Sequence, residues 1–222
     1  MNLILPPTSR RHFLRGTGLS AAALWATPGL FAEELFRTAA MTDGPFYPDR
    51  LPLDTDNDLL VINDAITPAI GQVTYLSGQV MNQSGNPLRN ALVEIWQTDH
   101  NGAYIHSRSS NAERRDGNFQ GYGRFLTDSA GRYFFRTVKP VAYPGRAPHI
   151  HFAVSQGSKR VLTTQLLVAG EPLNDGDGLL QRLGDEKAKQ SVLTEFEPLA
   201  DSKVGELTAK WDIVLGVTAA DA

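Results

Sequence analysis

The sequence runs Arg146-Ala147-Pro148-His149-Ile150-His151-Phe152-Ala153-Val154 at its most informative point. Residues two apart in a β-strand point to the same face, so the two histidines share one face and the apolar Ile150, Phe152 and Val154 share the other. A helix would instead point the two histidines about 200° apart. The stretch therefore predicts a strand with an apolar face for a core and two imidazoles on the opposite face.

Short runs of strand character lie on both sides of this stretch, separated by clusters of Gly, Asn, Pro and Asp. Such spacing predicts a mainly β protein, an antiparallel β-sandwich with little helix. Residues 179–193 are the best helical candidate within it, as a charged surface helix, and Trp96 is expected in the core. The predicted strands are residues 76–80, 91–96, 132–138, 149–154 and 161–168.

The chain divides into three predicted regions. Residues 1–32 are a candidate export signal, and residues 33–70, which contain four prolines, form an irregular N-terminal arm over the sandwich. Residues 71–222 form the sandwich domain itself. A length of 222 residues suits one such domain with a tail.

Composition excludes several classes of site and partner. The chain has 21 Lys and Arg against 24 Asp and Glu, a net charge of −3. This balance argues against nucleic acid as a partner. The absence of cysteine excludes disulfides, thiolate metal sites and cysteine nucleophiles. A metal would have to be held by His, Asp, Glu or Tyr.

The N-terminus begins with Ser9-Arg10-Arg11-His12-Phe13-Leu14-Arg15, and an apolar, small-residue stretch follows to about Ala32. The paired arginines before Phe-Leu resemble a twin-arginine export signal, which predicts a periplasmic protein. Charges at Glu33 and Glu34 end the apolar stretch short of the ~20 residues of a spanning helix, so no stable membrane anchor is expected. The alternative is a basic amphipathic helix on a cytoplasmic protein.

The pair His149 and His151 can offer two neutral nitrogens to one metal ion. Two histidines on a polar strand face that binds no metal would give the same sequence pattern. The other histidines beyond the signal are His100 and His106. A cupin-type site would need an acid and a further His after the pair, and neither follows. A 2-His-1-carboxylate Fe(II) site would need a carboxylate at a usual local spacing, and none is found.

Tyrosine is the remaining type of donor. Tyr104 follows a predicted strand, and Tyr143 lies six residues before His149, behind a Pro-Gly turn. A phenol has a pKa near 10, but a hard trivalent cation lowers it enough to deprotonate the phenol at neutral pH. Either tyrosine alone would equally suit a half-buried core position.

Tyr104, Tyr143, His149 and His151, in this order, resemble the ligand set of the intradiol ring-cleavage dioxygenases. Within that family the chain is most similar to the iron-bearing subunit of protocatechuate 3,4-dioxygenase. The resemblance covers about residues 42–174. It is carried by Val93-Glu94-Ile95-Trp96-Gln97, Gly102-Ala103-Tyr104, Asn118-Phe119-Gln120-Gly121-Tyr122-Gly123-Arg124, Gly131-Arg132-Tyr133-Phe134-Phe135, Tyr143-Pro144, the histidine strand and Thr164-Gln165-Leu166.

The resemblance implies one non-haem Fe(III) per chain, held by those two tyrosinates and two histidines. It implies a catecholic substrate and O₂ as partners, ring opening between the two oxygen-bearing carbons to a muconate-type diacid, and a role in aromatic catabolism. By the same correspondence Tyr143 accepts a substrate proton, Arg146 lies against the substrate ring, and Gln165 stands near the iron. Residues Gly44, Pro45, Phe46 and Tyr47 resemble the segment that lines the substrate mouth.

The chain departs from the family pattern between Tyr143 and His149, where only Gly145-Arg146-Ala147-Pro148 replaces a longer loop. The short connection puts the placement of Arg146 in doubt and predicts a more open pocket. No additional basic residue can be assigned to a substrate carboxylate, so catechol, hydroxyquinol and larger aryl diols remain open beside protocatechuate. A homo-oligomer also remains open.

Two other functions compete with this interpretation. The strand and turn pattern also looks like transthyretin-like and carboxypeptidase-regulatory sandwich modules, which bind ligands without catalysis, and fold alone does not decide function. The ordered set of two tyrosines and two histidines favours the enzyme. A zinc hydrolase built on His149 and His151 would lack a third ligand at suitable spacing.

Overall fold

A computed structural model describes residues 34–63 and 66–216 of the chain. The predicted export signal, residues 1–32, lies outside the described residues. The mainly β sandwich is confirmed, and helix is confined to short segments. The strands are β1 Val73–Asn82, β2 Ala91–Trp96, β3 Tyr122–Leu126, β4 Arg132–Val138, β5 His149–Gln156, β6 Lys159–Val168, β7 Leu193–Thr194, β8 Glu197–Pro198, β9 Leu207–Lys210 and β10 Ile213–Leu215. The helices are α1 Gly178–Gln181 and α2 Glu186–Gln190, with 3₁₀ turns at Ala112–Arg114 and Pro172–Gly176.

The two sheets have five strands each and are mixed rather than wholly antiparallel. In one sheet β1 pairs antiparallel with β4 and parallel with β9 and β10, and β8 pairs with β9. The other sheet has the order β3-β2-β5-β6-β7, antiparallel except for the pair of β6 and β7. The parallel pairs involve strands from the last third of the chain that return through long connections, and only such connections permit parallel pairing.

Strand β5 lies at the centre of its sheet, between β2 and β6, and both of its faces are buried. Ile150, Phe152 and Val154 point into the main core between the sheets, as the alternation predicts. The histidine face is buried as well, because loops and the N-terminal arm cover it: every residue from His149 to Ser155 is buried. The alternation of polar and apolar residues predicted that this face lies opposite the main core, but it did not predict that the face is buried.

The predicted helix over residues 179–193 is wrong in extent. The structure has two short helices there, α1 and α2, and Gly184 between them adopts φ +71°, a left-handed conformation that ends a helix. Each helix has an aspartate N-cap, Asp177 for α1 and Asp185 for α2. The strands that the sequence pattern did not reveal are β3, whose first two residues are both buried, and β7 to β10, which have two to four residues each and are too short to show an alternation.

The N-terminal arm is irregular, as predicted, and it contributes to the core. Within residues 34–63 the structure assigns neither helix nor strand, apart from an isolated bridge to β4. Leu59 and Leu60 are nonetheless buried in the main core. A Cβ at Gly123 of β3 would lie 2.6 Å from the carbonyl oxygen of Asp56, so the glycine permits the arm to cross the sheet in direct contact.

Candidate metal centre

Three elements bring the four candidate ligands to one end of the sandwich. Strand β5 carries His149 and His151 on one face, and the short β4–β5 connection carries Tyr143. Tyr104 lies on the loop after β2. That loop is held by Asp99, whose Oδ1 accepts the backbone N–H groups of residues 101 and 103 at 2.8 and 3.0 Å. The buried carboxylate thus builds a turn that directs the phenol at the histidine strand.

The donor atoms of three of these residues form a compact triangle. Tyr104 Oη lies 3.0 Å from His151 Nε2 and 3.2 Å from His149 Nε2, and the two Nε2 atoms are 3.2 Å apart. All three side chains are almost completely buried. Ligands bound at about 2.1 Å to one first-row metal ion, at near right angles, stand about 3.0 Å apart, so the triangle has the dimensions of a coordination site.

Both histidines are held as neutral donors. His149 Nδ1 lies 2.6 Å from the carbonyl oxygen of Ala147, which can only accept, so Nδ1 carries the proton and Nε2 keeps its lone pair. Burial, reinforced by the charge of Arg146, lowers the pKa of His149 to about 4. Burial and the neighbouring histidine lower the pKa of His151 well below its usual value. The His151 ring stacks on Trp96 at a centroid distance of 4.9 Å.

Tyr104 needs a cation to ionise in this environment. Burial, and then the neighbouring Tyr143, raises the pKa of the Tyr104 phenol well above its ordinary value. Its single hydroxyl proton faces two imidazole Nε2 atoms, at 3.0 and 3.2 Å, and can be donated to only one of them. A bound metal cation would favour ionisation because it stabilises the phenolate directly.

These side chains fit a ferric ion. The triangle is rich in lone pairs and shielded from water, and a phenolate oxygen is a donor suited to a hard trivalent cation. The buried Nδ1 of His151 has no hydrogen-bond partner among the described residues. Within residues 34–63 and 66–216, no group of three or more His, Cys, Asp or Glu is arranged to hold a metal. A metal bound by the two histidines would find its next donor in the phenol of Tyr104.

Tyr143 stands beside the triangle as a more exposed fourth candidate. Its ring packs edge-on against Tyr104 at 5.7 Å between centroids and lies 5.5 Å from the ring of His149. A tight turn places it, since the N–H of Arg146 donates to the Tyr143 carbonyl at 2.9 Å. Tyr143 also lines a cleft of about 340 Å³ that is open to solvent, together with Pro144, Leu173 and Asp177.

Arg146 and Gln165, predicted near the metal, contact each other. A terminal nitrogen of Arg146 donates to Gln165 Oε1, and Gln165 Nε2 donates to the carbonyl of Thr42 at 2.8 Å. Arg146 is close enough for its charge to lower the pKa of His149 and His151. The short β4–β5 connection therefore holds Arg146 against Gln165 and near the two histidines.

The residues of the predicted substrate-mouth segment, 44–47, lie in two different environments. Gly44 adopts φ +66° and lies so close to the site that an added Cβ would be 3.4 Å from His151 Cε1. Phe46 stacks on the Tyr104 ring at 5.1 Å, and Pro45 between them is exposed. These residues therefore cover the donor triangle from the side of the N-terminal arm.

Tyr47 instead points into a polar cluster behind the site. Its ring meets Trp96 edge-on at 5.0 Å, and its hydroxyl donates to Glu94 Oε1 at 2.8 Å. Tyr122 donates to the same oxygen at 2.6 Å, and Arg160 contacts the other oxygen at 3.2 Å. The cluster fixes the aromatic wall on which His151 stacks.

Sequence reasoning missed two residues that shape this site. Trp96 is fully buried, as expected, but it lies in a smaller cluster with Tyr104 and not in the main core that Ile95 faces, so its contact with the site was not predicted. Asp177 was not singled out, although an aspartate before Gly178-Leu179-Leu180 is a helix N-cap signal. His100 and His106 lie elsewhere, against Asp116 and Phe46 respectively.

Comparisons with known proteins agree with one another. The family model described as "Dioxygenase" matches residues 42–217. The chain is 35% identical over 174 residues to the protocatechuate 3,4-dioxygenase beta chain of Burkholderia cepacia, covering 74% of this chain and 72% of that protein. It is 30% identical over 178 residues to the hydroxyquinol 1,2-dioxygenase of Rhodococcus opacus, covering 72% of this chain but only 54% of that enzyme.

A solved structure has the same fold. The dioxygenase domain of a dioxygenase–carbohydrate-binding fusion protein from Streptomyces sp. SirexAA-E superimposes with a TM-score of 0.62 at 28% identity. The match covers 82% of this chain and 100% of that domain.

Proposed function

The chain belongs to the family of intradiol ring-cleaving dioxygenases, and from that premise we propose that it uses one non-haem Fe(III) per chain to open a catechol-type ring with O₂. The observation that carries the proposal is the buried triangle of Tyr104 Oη and the two histidine Nε2 atoms. When bound there, ferric iron would supply a Lewis acid that favours loss of both catechol protons, and a catecholate ring is a better electron donor to O₂ than a catechol.

Tyr143 is the proton acceptor in this proposal. A catechol that binds through both oxygens must release two protons, and Tyr143 lines the cleft that is open to solvent, whereas Tyr104 is buried. Tyr143 can turn toward the cleft and take one proton while Tyr104 and the histidines stay in place. A phenol has a pKa near 10, close to that of a catechol hydroxyl, which suits a transfer between them.

Arg146 and Gln165 act on the bound ring and its surroundings. Arg146 lines the same open cleft as Tyr143, and its charge would stabilise negative charge that develops on the ring. Gln165 is buried and orients the guanidinium by accepting one of its N–H groups. Phe46 and Trp96 exclude water from the opposite side of the donors.

We expect a pocket that accepts substituted catechols as well as protocatechuate. The short β4–β5 connection leaves a cleft of about 340 Å³ beside Tyr143, with Pro144 and Leu173 among its lining residues. Arg146, the cation in that cleft, is already paired with Asp177. A carboxylate on the substrate therefore adds little binding free energy through Arg146, and a catechol without a carboxylate should bind almost as well.

The decisive experiment supplies ¹⁸O₂ and a panel of catechols to the iron-loaded protein. We expect a muconate-type diacid containing two labelled oxygen atoms from catechol, hydroxyquinol and protocatechuate, identified by mass and ultraviolet absorbance. A yellow semialdehyde, the product of extradiol cleavage, would contradict the proposed ligand set. Turnover of protocatechuate alone would leave the chemistry standing and contradict the open pocket.

We also propose that the protein is exported through the twin-arginine route, on the support of Arg10-Arg11 followed by Phe13-Leu14 and an apolar stretch. Replacing Arg10 and Arg11 by lysines should trap the precursor in the cytoplasm, since lysine keeps the charge but not the arginine pair. Fractionation and immunoblotting measure the outcome, and Arg15→Lys is the matched control. Normal export of the double variant would indicate another route or none.

A further inference from the structure

Asp177 is a buried carboxylate for which the proposed chemistry has no role. Its side chain is fully buried, at the junction of the β4–β5 connection and helix α1. Its two oxygens serve different partners. Oδ1 accepts the backbone N–H groups of Leu179 and Leu180 at 3.0 and 3.1 Å and caps α1.

The second oxygen of Asp177 faces the candidate metal centre. Oδ2 accepts Arg146 Nε at 2.9 Å and the backbone N–H of Ala147 at 3.0 Å. Ala147 in turn offers its carbonyl oxygen to His149 Nδ1. The one carboxylate thus ties together the arginine side chain and the backbone that leads into the histidine strand.

Two hydrogen bonds on different nitrogens fix the plane of the Arg146 guanidinium. Asp177 takes the Nε–H, and Gln165 takes an N–H of one terminal nitrogen. Gln165 is itself held by the carbonyl of Thr42. A planar group anchored at two points cannot rotate about its last side-chain bonds, and such preorganisation is what a group that stabilises transition-state charge requires.

We propose that Asp177 is a positioning residue that orients Arg146 toward the substrate ring. The proposal rests on the proposed function, because the orientation of Arg146 affects turnover only if a catechol binds beside the two histidines. Charge contributes as well as geometry: the pair of Asp177 and Arg146 adds no net charge to the site, so the partly buried guanidinium can stay next to a bound cation.

Asp177→Asn tests this role with little change in volume. Asparagine is as good an N-cap as aspartate, so α1 can keep its cap, but the amide cannot also accept from Arg146 and Ala147. We expect an unchanged iron content and a kcat for catechol that falls roughly 10- to 100-fold, the usual cost of removing an outer-sphere partner, with a smaller change in KM.

Coupling to Arg146 separates positioning from a general structural effect. In an Arg146→Met background, Asp177→Asn should change kcat less than about twofold, because its effect passes through the missing guanidinium. Asp58→Asn breaks the ion pair with Arg136, and Asp185→Asn alters the cap of α2. Both controls lie outside the site and should keep wild-type kcat. Independent effects of Asp177→Asn and Arg146→Met that multiply would overturn the proposal.

A spectroscopic readout does not depend on turnover. In the full-length protein loaded with Ga(III), a diamagnetic ion of the same charge, the Arg146 Nε–H signal in a ¹H–¹⁵N spectrum should be protected from exchange, and Asp177→Asn should remove that protection. A signal that stays protected in the variant contradicts the proposal. If the asparagine variant fails to fold, Asp177→Glu keeps the charge, displaces the carboxylate and should still lower kcat; wild-type kcat in this variant contradicts the proposal.

Failure of the proposed function gives a different pattern. A wild-type protein that binds iron but leaves every catechol intact contradicts ring cleavage, while the Nε–H measurement still reports whether Asp177 orders Arg146. An active wild type with an unprotected Nε–H contradicts only the role of Asp177.

Discussion

His149→Ala and His151→Ala should each weaken iron binding by more than roughly 100-fold, because losing a ligand costs more than losing an outer-sphere partner. Each substitution removes one corner of a triangle whose sides are 3.0 to 3.2 Å. The purified variants should therefore be nearly colourless and inactive. Iron content by metal analysis, together with the visible spectrum, measures the effect.

The sandwich should survive both histidine substitutions, because the core side of β5 is formed by Ile150, Phe152 and Val154. Far-ultraviolet circular dichroism should match that of the wild type. Ser155→Ala, on the same strand but away from the donors, is the control and should keep its iron. Retained iron with lost secondary structure would show that the two faces of β5 had been assigned the wrong way round.

Tyr104→Phe and Tyr143→Phe should have different consequences, although each removes one hydroxyl. Tyr104 Oη contacts both histidine nitrogens, so its loss should remove most of the iron and the visible band. Tyr143→Phe leaves the triangle intact and should keep iron. It should slow catechol binding roughly 100-fold, within the range that a positioned proton acceptor contributes.

Stopped-flow mixing of iron-loaded protein with catechol, without O₂, measures the binding step directly. Tyr75→Phe is the matched control, since Tyr75 donates to Glu206 on the other sheet and should keep both iron and binding rate. Wild-type catechol binding in Tyr143→Phe would contradict its role as proton acceptor. Full iron occupancy in Tyr104→Phe would show that the triangle is not the metal site.

The structure confirmed the sequence-based fold where alternation was long enough to read. Residues 91–96 and 132–138 were predicted with the bounds that the structure has, and β5 differs only in its last residues. The two-residue strands β7 and β8 gave no such signal. The parallel pairing of β9 and β10 with β1 depends on the path of the chain between them, which local pattern does not encode.

The candidate site shows the same division between what the local sequence predicts and what the packing of the chain decides. The period of two along a strand by itself placed His149 and His151 on one face, opposite Ile150 and Phe152, because side-chain direction in a strand is a local property of the backbone. The resemblance added Tyr104 and Tyr143. Neither the strand period nor the resemblance gives the distances between the donor atoms, because the four residues come from three elements.

Only the tertiary structure decided the distances and the environment. It closed Tyr104 onto the histidines, buried all three and stacked Trp96 on His151. It also joined Asp177 to Arg146 across 31 positions of sequence. The sequence by itself determined which side chains could serve as donors, through residue type and strand period. Their convergence required the packing of loops and arm over β5, because contacts between residues distant in the chain arise only when the whole sandwich assembles.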